Sequence, residues 1–400
     1  MARSRSQSTP RLNRDSARLV ALAQALHRSG SRVEDLFWET QMEQAISKLL
    51  RAGQDTALEA ALDHLAQTDI GAYEVLIEQA ETLSESIQIE KDGQIYDVLL
   101  VVAPIVAWTR YAIPTGAIPT AAQQILQAQL HGHILASNAQ LALMPLLVSI
   151  DQMPRTFSET WQWLHRLGNQ ALGLETAKPV LNTETETANM LADTRYIVAA
   201  VAVPQRAPIF RWQEHPGEDE TNRDACMAQW VSQIQPTMAA LLPGCGFECL
   251  LPDAYYVSNR EADRRVRPLS VRAAVHWLEG TAGLEALQLR AVIAGCGEAR
   301  IDEYRIGFTT RNSNEVIYGC IWPLYGHEED TPADEDQPDV VEEIVALLKE
   351  CGVNDMRRIP GVLPLEYCED CGAPAFPNPL GELVHAELPE EANTAPTKFH

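Results

Sequence analysis

Positive charge is scarce in this chain. It carries 31 Lys and Arg against 55 Asp and Glu, a formal net charge of −24. A body this acidic repels phosphate, which disfavours general nucleic-acid binding. Long apolar runs are missing too: the longest, Val98 to Trp108, is eleven residues and contains Pro104, against the ~20 needed to cross a bilayer. It reads as a buried strand, and a membrane is not expected as a partner. The N-terminus has no apolar signal core, and eight Cys in 400 residues do not make a disulfide framework in a chain large enough to build its own core. A reduced, cytoplasmic setting is the expectation. Also absent are His-Glu-x-x-His, the Gly-x-Ser-x-Gly elbow and the Walker Gly-Lys-Ser/Thr, so metalloprotease, serine-hydrolase and P-loop chemistries lack their anchors.

What is present is enough apolar residue, 46%, to fill the cores of two or three domains. Residues 1–18 hold five Arg and one Asp, leaving −28 on the remainder. This Ser/Arg-rich start reads as a solvated, disordered tail over residues 1–13, with a nucleic-acid or anionic-partner arm as the alternative. Residues 14–90 show apolar positions at three- and four-residue spacing in four segments, with Gly30, Gly53 and Gly71 as stops between them. That predicts a packed helical array.

From residue 91 the texture changes to branched runs alternating with amphipathic segments. Strand, helix, strand, helix is expected over 91–185, and the same order again over 186–285. The runs Pro104-Ile105…Trp108 and Pro208-Ile209…Trp212 share their spacing. Leu143-Met144-Pro145 corresponds to Leu250-Leu251-Pro252, and Trp163-Leu164 to Trp277-Leu278. These correspondences imply a duplicated unit with a cleft between the copies. Polar residues at its strand ends would be Arg110 and Asp151 in the first copy and Arg211, Glu214 and Asp253 in the second. Asp151 and Asp253 are the acid/base candidates if the cleft is an active site, which requires burial to raise the pKa of one of them.

Residues 286–366 read as antiparallel strands turning at Gly-Cys-Gly and Asn-Ser-Asn, then an acidic stretch over 327–343 and a helix over 338–351. The glycines of Gly295-Cys296-Gly297 suit a hairpin turn, since no helix follows to hold phosphate. Cys245 and Cys249, four apart, read as structural with a metal pair as the alternative, Cys226, Cys320 and Cys351 read as core residues, and His131 and His133 do not share a helix face.

Chemistry concentrates at residues 367–400, where Cys368-x-x-Cys371-Gly372 has the spacing of a zinc knuckle. No second Cys pair follows. The nearest downstream donors are His385 and Glu387, with Cys351 or a second subunit as further sources. Three readings are open: a structural zinc site, a turn that holds no metal, and a redox pair, the last lacking the helix that lowers a thiol pKa.

The runs YCEDCGAPAFPNPLGELVHAE and GFTTRNSNEVIYGCIWPLYG, with the acidic stretch between them, resemble an uncharacterised bacterial family of similar length, a domain of unknown function. The resemblance spans most of the chain after the tail. It implies a bacterial cytosolic protein and supplies no activity, ligand or site residue.

The expected fold class is therefore α/β: an N-terminal helical array, a duplicated α/β unit, an added antiparallel β section and a short C-terminal Cys-x-x-Cys-Gly element. The leading functional expectation is a non-enzymatic binding or regulatory protein with structural zinc, acting on a protein partner or a small molecule. The alternatives are an enzyme using the cleft and a nucleic-acid-associated regulator using the tail.

Overall fold

The structure, a computed structural model, describes residues 12–387 except 110–111, 175–190, 215, 218, 281, 298–300, 325–338 and 369–370. The basic tail up to residue 11, most of the acidic stretch and Arg110 lie outside the described residues.

Four helices open the chain: α1 (Arg14–His27), α2 (Arg32–Ala52), α3 (Asp55–Thr68) and α4 (Ile70–Glu85). Their apolar stripes meet in one core that includes Leu19, Met42, Ile46, Leu58, Leu65 and Leu76. The caps follow from side-chain chemistry. Asn13, Ser31 and Asp69 each accept a hydrogen bond from a backbone N–H of the helix they precede, satisfying donors that have no partner within the helix. Gly53 ends α2 in the left-handed conformation, with φ of 61°, where a side chain would be strained. Gly71 is not a stop: it sits in the first turn of α4, and a Cβ there would lie 2.2 Å from Cε1 of His27. Its smallness serves the close approach of α1 to α4.

A seven-stranded sheet follows. It contains β1 (Ser86–Lys91), β2 (Gln94–Trp108), β3 (Gly116–Ala117), β4 (Gln140–Ser149), β5 (Ala192–Pro204), β6 (Gly246–Cys249) and β7 (Asp253–Ala254). Helices α5 (Thr120–His133), α6 (Phe157–Ala171), α7 (Arg211–Glu214), α8 (Arg223–Leu241) and α9 (Tyr255–Gly280) connect them. β2 pairs with β5 along one edge from Tyr96↔Pro204 to Trp108↔Ala192, and its other edge is shared by β1, β7 and β6. Every one of these pairings is antiparallel, as is β4 with β5.

Neighbours are thus antiparallel although a strand–helix–strand order usually joins parallel strands, and the connectivity gives the reason. β2 and β4, joined through α5, run parallel with β5 inserted between them. β5 and β6, joined through α8, run parallel with β2 inserted between them. The two strand–helix–strand units are interleaved. The seam between them is a ladder of hydrogen-bonded strands, not a cleft.

Both sheet faces are covered, which explains the unbroken apolar sequence of β2 and β5. α5 and α8 cover one face through Leu126, Leu130, Trp230 and Ile234, and α6 and α9 cover the other through Leu164, Leu167 and Ala262. The Pro-Ile-x-x-Trp runs do not occupy equivalent places. Pro104 is inside β2, whereas Pro208 lies beyond the end of β5 and Trp212 is in α7. The expected second strand of the later unit is also shorter than its sequence suggested, because α9 begins at Tyr255.

α9 is 26 residues long and continues past this sheet to a second one. β8 (Leu289–Cys296), β9 (Glu303–Thr310) and β10 (Tyr318–Pro323) form antiparallel hairpins as expected. After α10 (Val340–Glu350), the strand β11 (Asp355–Leu363) adds parallel to β8. One face of this sheet packs on α9 and α10 through Ile293, Ile306, Phe308 and Trp322. The other face is covered by the C-terminal segment, which carries β12 (Phe376–Pro377) and β13 (Leu383–Val384).

A candidate metal centre on the C-terminal segment

Alternation along β9 points Tyr304, Ile306 and Phe308 towards the helices, so Arg305, Gly307 and Thr309 face the C-terminal segment. Gly307 and Gly319 are direct cross-strand partners. A Cβ on Gly307 would lie 2.3 Å from the carbonyl oxygen of Pro377, and one on Gly319 would lie 2.3 Å from the ring of Phe376. The bare patch made by the two glycines is the seat of β12.

Beside it, Arg305 is fully buried and forms an ion pair with Glu303, Nε to Oε1 at 2.6 Å. Its Nη1 donates to the carbonyls of Glu366 at 2.6 Å and Ala375 at 2.8 Å, and the guanidinium lies 5.1 Å from the ring centre of Tyr367. A charge this deep is tolerated only when paired and hydrogen-bonded. Here its donors grip both ends of the loop between Glu366 and Ala375.

That loop carries Cys368 and Cys371. It is closed by backbone bonds from Ala375 N to Glu366 O at 3.0 Å, from Cys368 N to Ala373 O at 2.7 Å and from Gly372 N to Cys368 O at 2.9 Å. Gly372 has φ of 71°, which accounts for glycine at this position. Its N–H is directed to the Cys368 carbonyl, so its contribution is backbone shape rather than the hydrogen bond to a thiolate expected of a knuckle glycine.

The chain then runs through β12 and β13 and brings His385 back to the loop. The ligand atoms of Cys368, Cys371 and His385 all lie within 4.8 Å of one another, and Cys371 Sγ is 3.3 Å from His385 Nε2. Tetrahedral zinc, with bonds of about 2.3 Å to sulfur and about 2.0 Å to nitrogen, holds those two atoms roughly 3.5 Å apart. The three donors therefore fit a metal ion of the thiolate–imidazole class. Cys371 and His385 are exposed and Cys368 is partly buried. The β12–β13 pair sets the return, Phe376 opposite Val384 and Pro377 opposite Leu383. Asn378 closes the intervening turn, its side-chain oxygen accepting from the N–H groups of Leu380 and Glu382.

The remaining expected donors are elsewhere. Glu387 is outside the cluster, its backbone N–H donating to Val316 O at 2.9 Å. Cys351 ends α10 and packs against the core beneath the second sheet. Among the described residues no fourth Cys, His, Asp or Glu joins the three. No helix follows Cys371, so the dipole a redox pair would use is missing there. Cys249 is buried, and burial pushes its thiol up to about 12.

Asp151 and Asp253 are not brought together. Asp151 lies just beyond β4, on the side of β5, near Asp193. Asp253 is in β7 opposite Val102, buried and paired with Arg223. Asp193 is opposite Ala107, so the two regions are offset by roughly 17 Å along β2 at 3.3–3.4 Å per residue, on opposite edges. Glu214 accepts from the N–H and hydroxyl of Ser137, and Arg211 donates to Gly132 O. Both tie α7 to the end of α5 and the loop that follows it.

The arrangement is that of a mixed α/β protein with a three-donor thiolate–imidazole site on a C-terminal segment bound across its second sheet. The chain belongs to a protein family of unknown function, DUF2863, whose family model matches residues 4–399. No curated protein and no solved structure matches it.

Proposed function

We propose that this is a cytoplasmic, non-enzymatic binding or regulatory protein in which Cys368, Cys371 and His385 hold a structural zinc ion that fastens the C-terminal segment to the second sheet. The convergence of the three donor atoms within 4.8 Å of one another carries the reading. Zinc is favoured because two thiolates and an imidazole are its usual structural donors. When bound, the ion would cross-link the loop to the strand that returns from it, adding a covalent-like closure where the hydrogen bonds of β12 and β13 are few.

A catalytic zinc also keeps an open position, but in a dry and shaped cavity. Exposure of Cys371 and His385 speaks for a tie whose fourth position is taken by water or by a donor from a partner. The eight cysteines form no disulfide, which supports a reducing compartment.

Reconstitution with Co²⁺ tests the donor set. The native chain is expected to give thiolate-to-cobalt charge-transfer absorption that vanishes in Cys368→Ser/Cys371→Ser and shifts in His385→Ala. A native chain without that absorption would rule out thiolate ligation.

A further inference from the structure

Where β2 ends, α9 continues towards the second sheet and leaves a cavity of ≈ 500 Å³ beside it. Leu269, Arg272, Ala273, His276 and Trp277 line its helical wall, recurring at three- and four-residue spacing on one face of α9. The opposite face, with Val271, Ala274, Val275 and Leu278, is buried in the second core. The other wall is Trp108, the last residue of β2, together with Thr109 and Leu191.

Trp108 is held in place. Its indole lies so close to Gly246 that a Cβ there would come within 2.4 Å of Nε1. Thr109 Oγ1 donates to Gly244 O at 3.2 Å, and Thr109 N donates to Leu191 O at 3.0 Å. Trp277 is braced by the ring of Tyr318, 5.6 Å between centres. The cavity therefore has two positioned indoles on separate layers of the fold, and its volume matches that of small-molecule sites.

Charge decides the class of ligand. In a chain of net charge −24, no acidic side chain among the described residues lines this cavity, and Arg272 is the one Lys or Arg among them that does. One guanidinium nitrogen, Nη2, is engaged with Glu350 at 2.7 Å. That pair is exposed on both sides, so it is weak and exchangeable, and a guanidinium has further N–H donors. We infer that the cavity binds a flat aromatic monocarboxylate, its ring between Trp108 and Trp277 and its carboxylate on Arg272. A single negative charge is favoured because Glu350 and the acidic body oppose a second.

Calorimetric titration with 1-naphthoate and with the neutral 1-naphthalenemethanol tests this on the full chain. Naphthoate is expected to bind about ten-fold or more tightly than the alcohol, the usual margin for a hydrogen bond to a charged group. Arg272→Gln is expected to bring the two within about two-fold. Glu350→Gln, which frees the guanidinium, is expected to tighten naphthoate alone. Trp108→Ala is expected to weaken both. The assignment is overturned if naphthoate and the alcohol bind equally to the native chain, if Arg272→Gln keeps the preference, or if neither compound binds at millimolar concentration.

Discussion

Gly307 stands directly opposite Gly319 across the β9–β10 ladder, and together they leave the space that Phe376 and Pro377 occupy. The backbone of Pro377 and the ring of Phe376 cannot both retreat from added methyl groups. Gly307→Ala and Gly319→Ala are therefore expected to destabilise the second sheet by about 1–3 kcal/mol, the usual cost of overpacking. Urea unfolding measures the loss. Limited proteolysis should show earlier cleavage of the C-terminal segment, with the N-terminal helices unaffected.

Arg305 acts from the same strand as the internal clasp of the Cys-bearing loop. Arg305→Met keeps the apolar stem but takes the guanidinium donors from the Glu303 carboxylate and the Ala375 carbonyl and leaves Glu366 O only the Ala375 N–H. Breaking a buried pair this way costs about 3–5 kcal/mol. Equilibrium unfolding of the variant should show that loss. A stability within 1 kcal/mol, roughly the value of a surface pair, would mean that the clasp is replaceable.

Glu85 provides a pH dependence away from the metal site. Burial raises its carboxyl from 4.5 to about 7, opposed by the Tyr256 N–H and Arg260 and helped by Glu81 and Asp253. Between those values the folded chain holds a proton that the unfolded chain releases. Its stabilising contribution is complete below pH 4.5 and is lost as pH rises through about 7. Glu85→Gln keeps the acceptor for Tyr256 and cannot ionise, so its urea midpoint should fall less than that of the native chain between about pH 5 and 8. Identical profiles would exclude Glu85 as a contributor.

Ser258 links α9 to the first sheet: its hydroxyl donates to Val102 O at 2.8 Å and accepts from Asp253 N at 3.2 Å. Ser258→Ala orphans both buried backbone groups. A loss of about 1–3 kcal/mol is expected, read by denaturant unfolding. No change would mean that water replaces the hydroxyl.

Periodicity made the helices of residues 14–85 legible, along with the buried runs that became β2, β4 and β5, and the three hairpin strands. It could not show how those strands are ordered, because a run buried on both faces looks the same whether its neighbours are parallel or antiparallel. The interleaving of β2 and β5 is a tertiary fact. β11 was hidden by Pro360 and Gly361, which the bulge between Ile359 and Val362 accommodates, and by the two exposed arginines Arg357 and Arg358, which break the apolar alternation.

At the site, the spacing of Cys368 and Cys371 was visible and His385 stood out as the next donor in sequence. Glu387 was indistinguishable from it by distance along the chain and is separated from it only by the course of the strand. Arg305 was missed, although a lone Arg beside two glycines in strands of alternating pattern is a sign that something packs on that face.

Zinc content measured by elemental mass spectrometry on the untagged native chain, beside Cys368→Ser/Cys371→Ser and His385→Ala, tests the metal centre most directly. About one zinc per chain in the native protein, lost with the paired Cys variant and reduced with the His variant, is the predicted result. A native chain without zinc, or one whose zinc survives loss of both thiols, would contradict it.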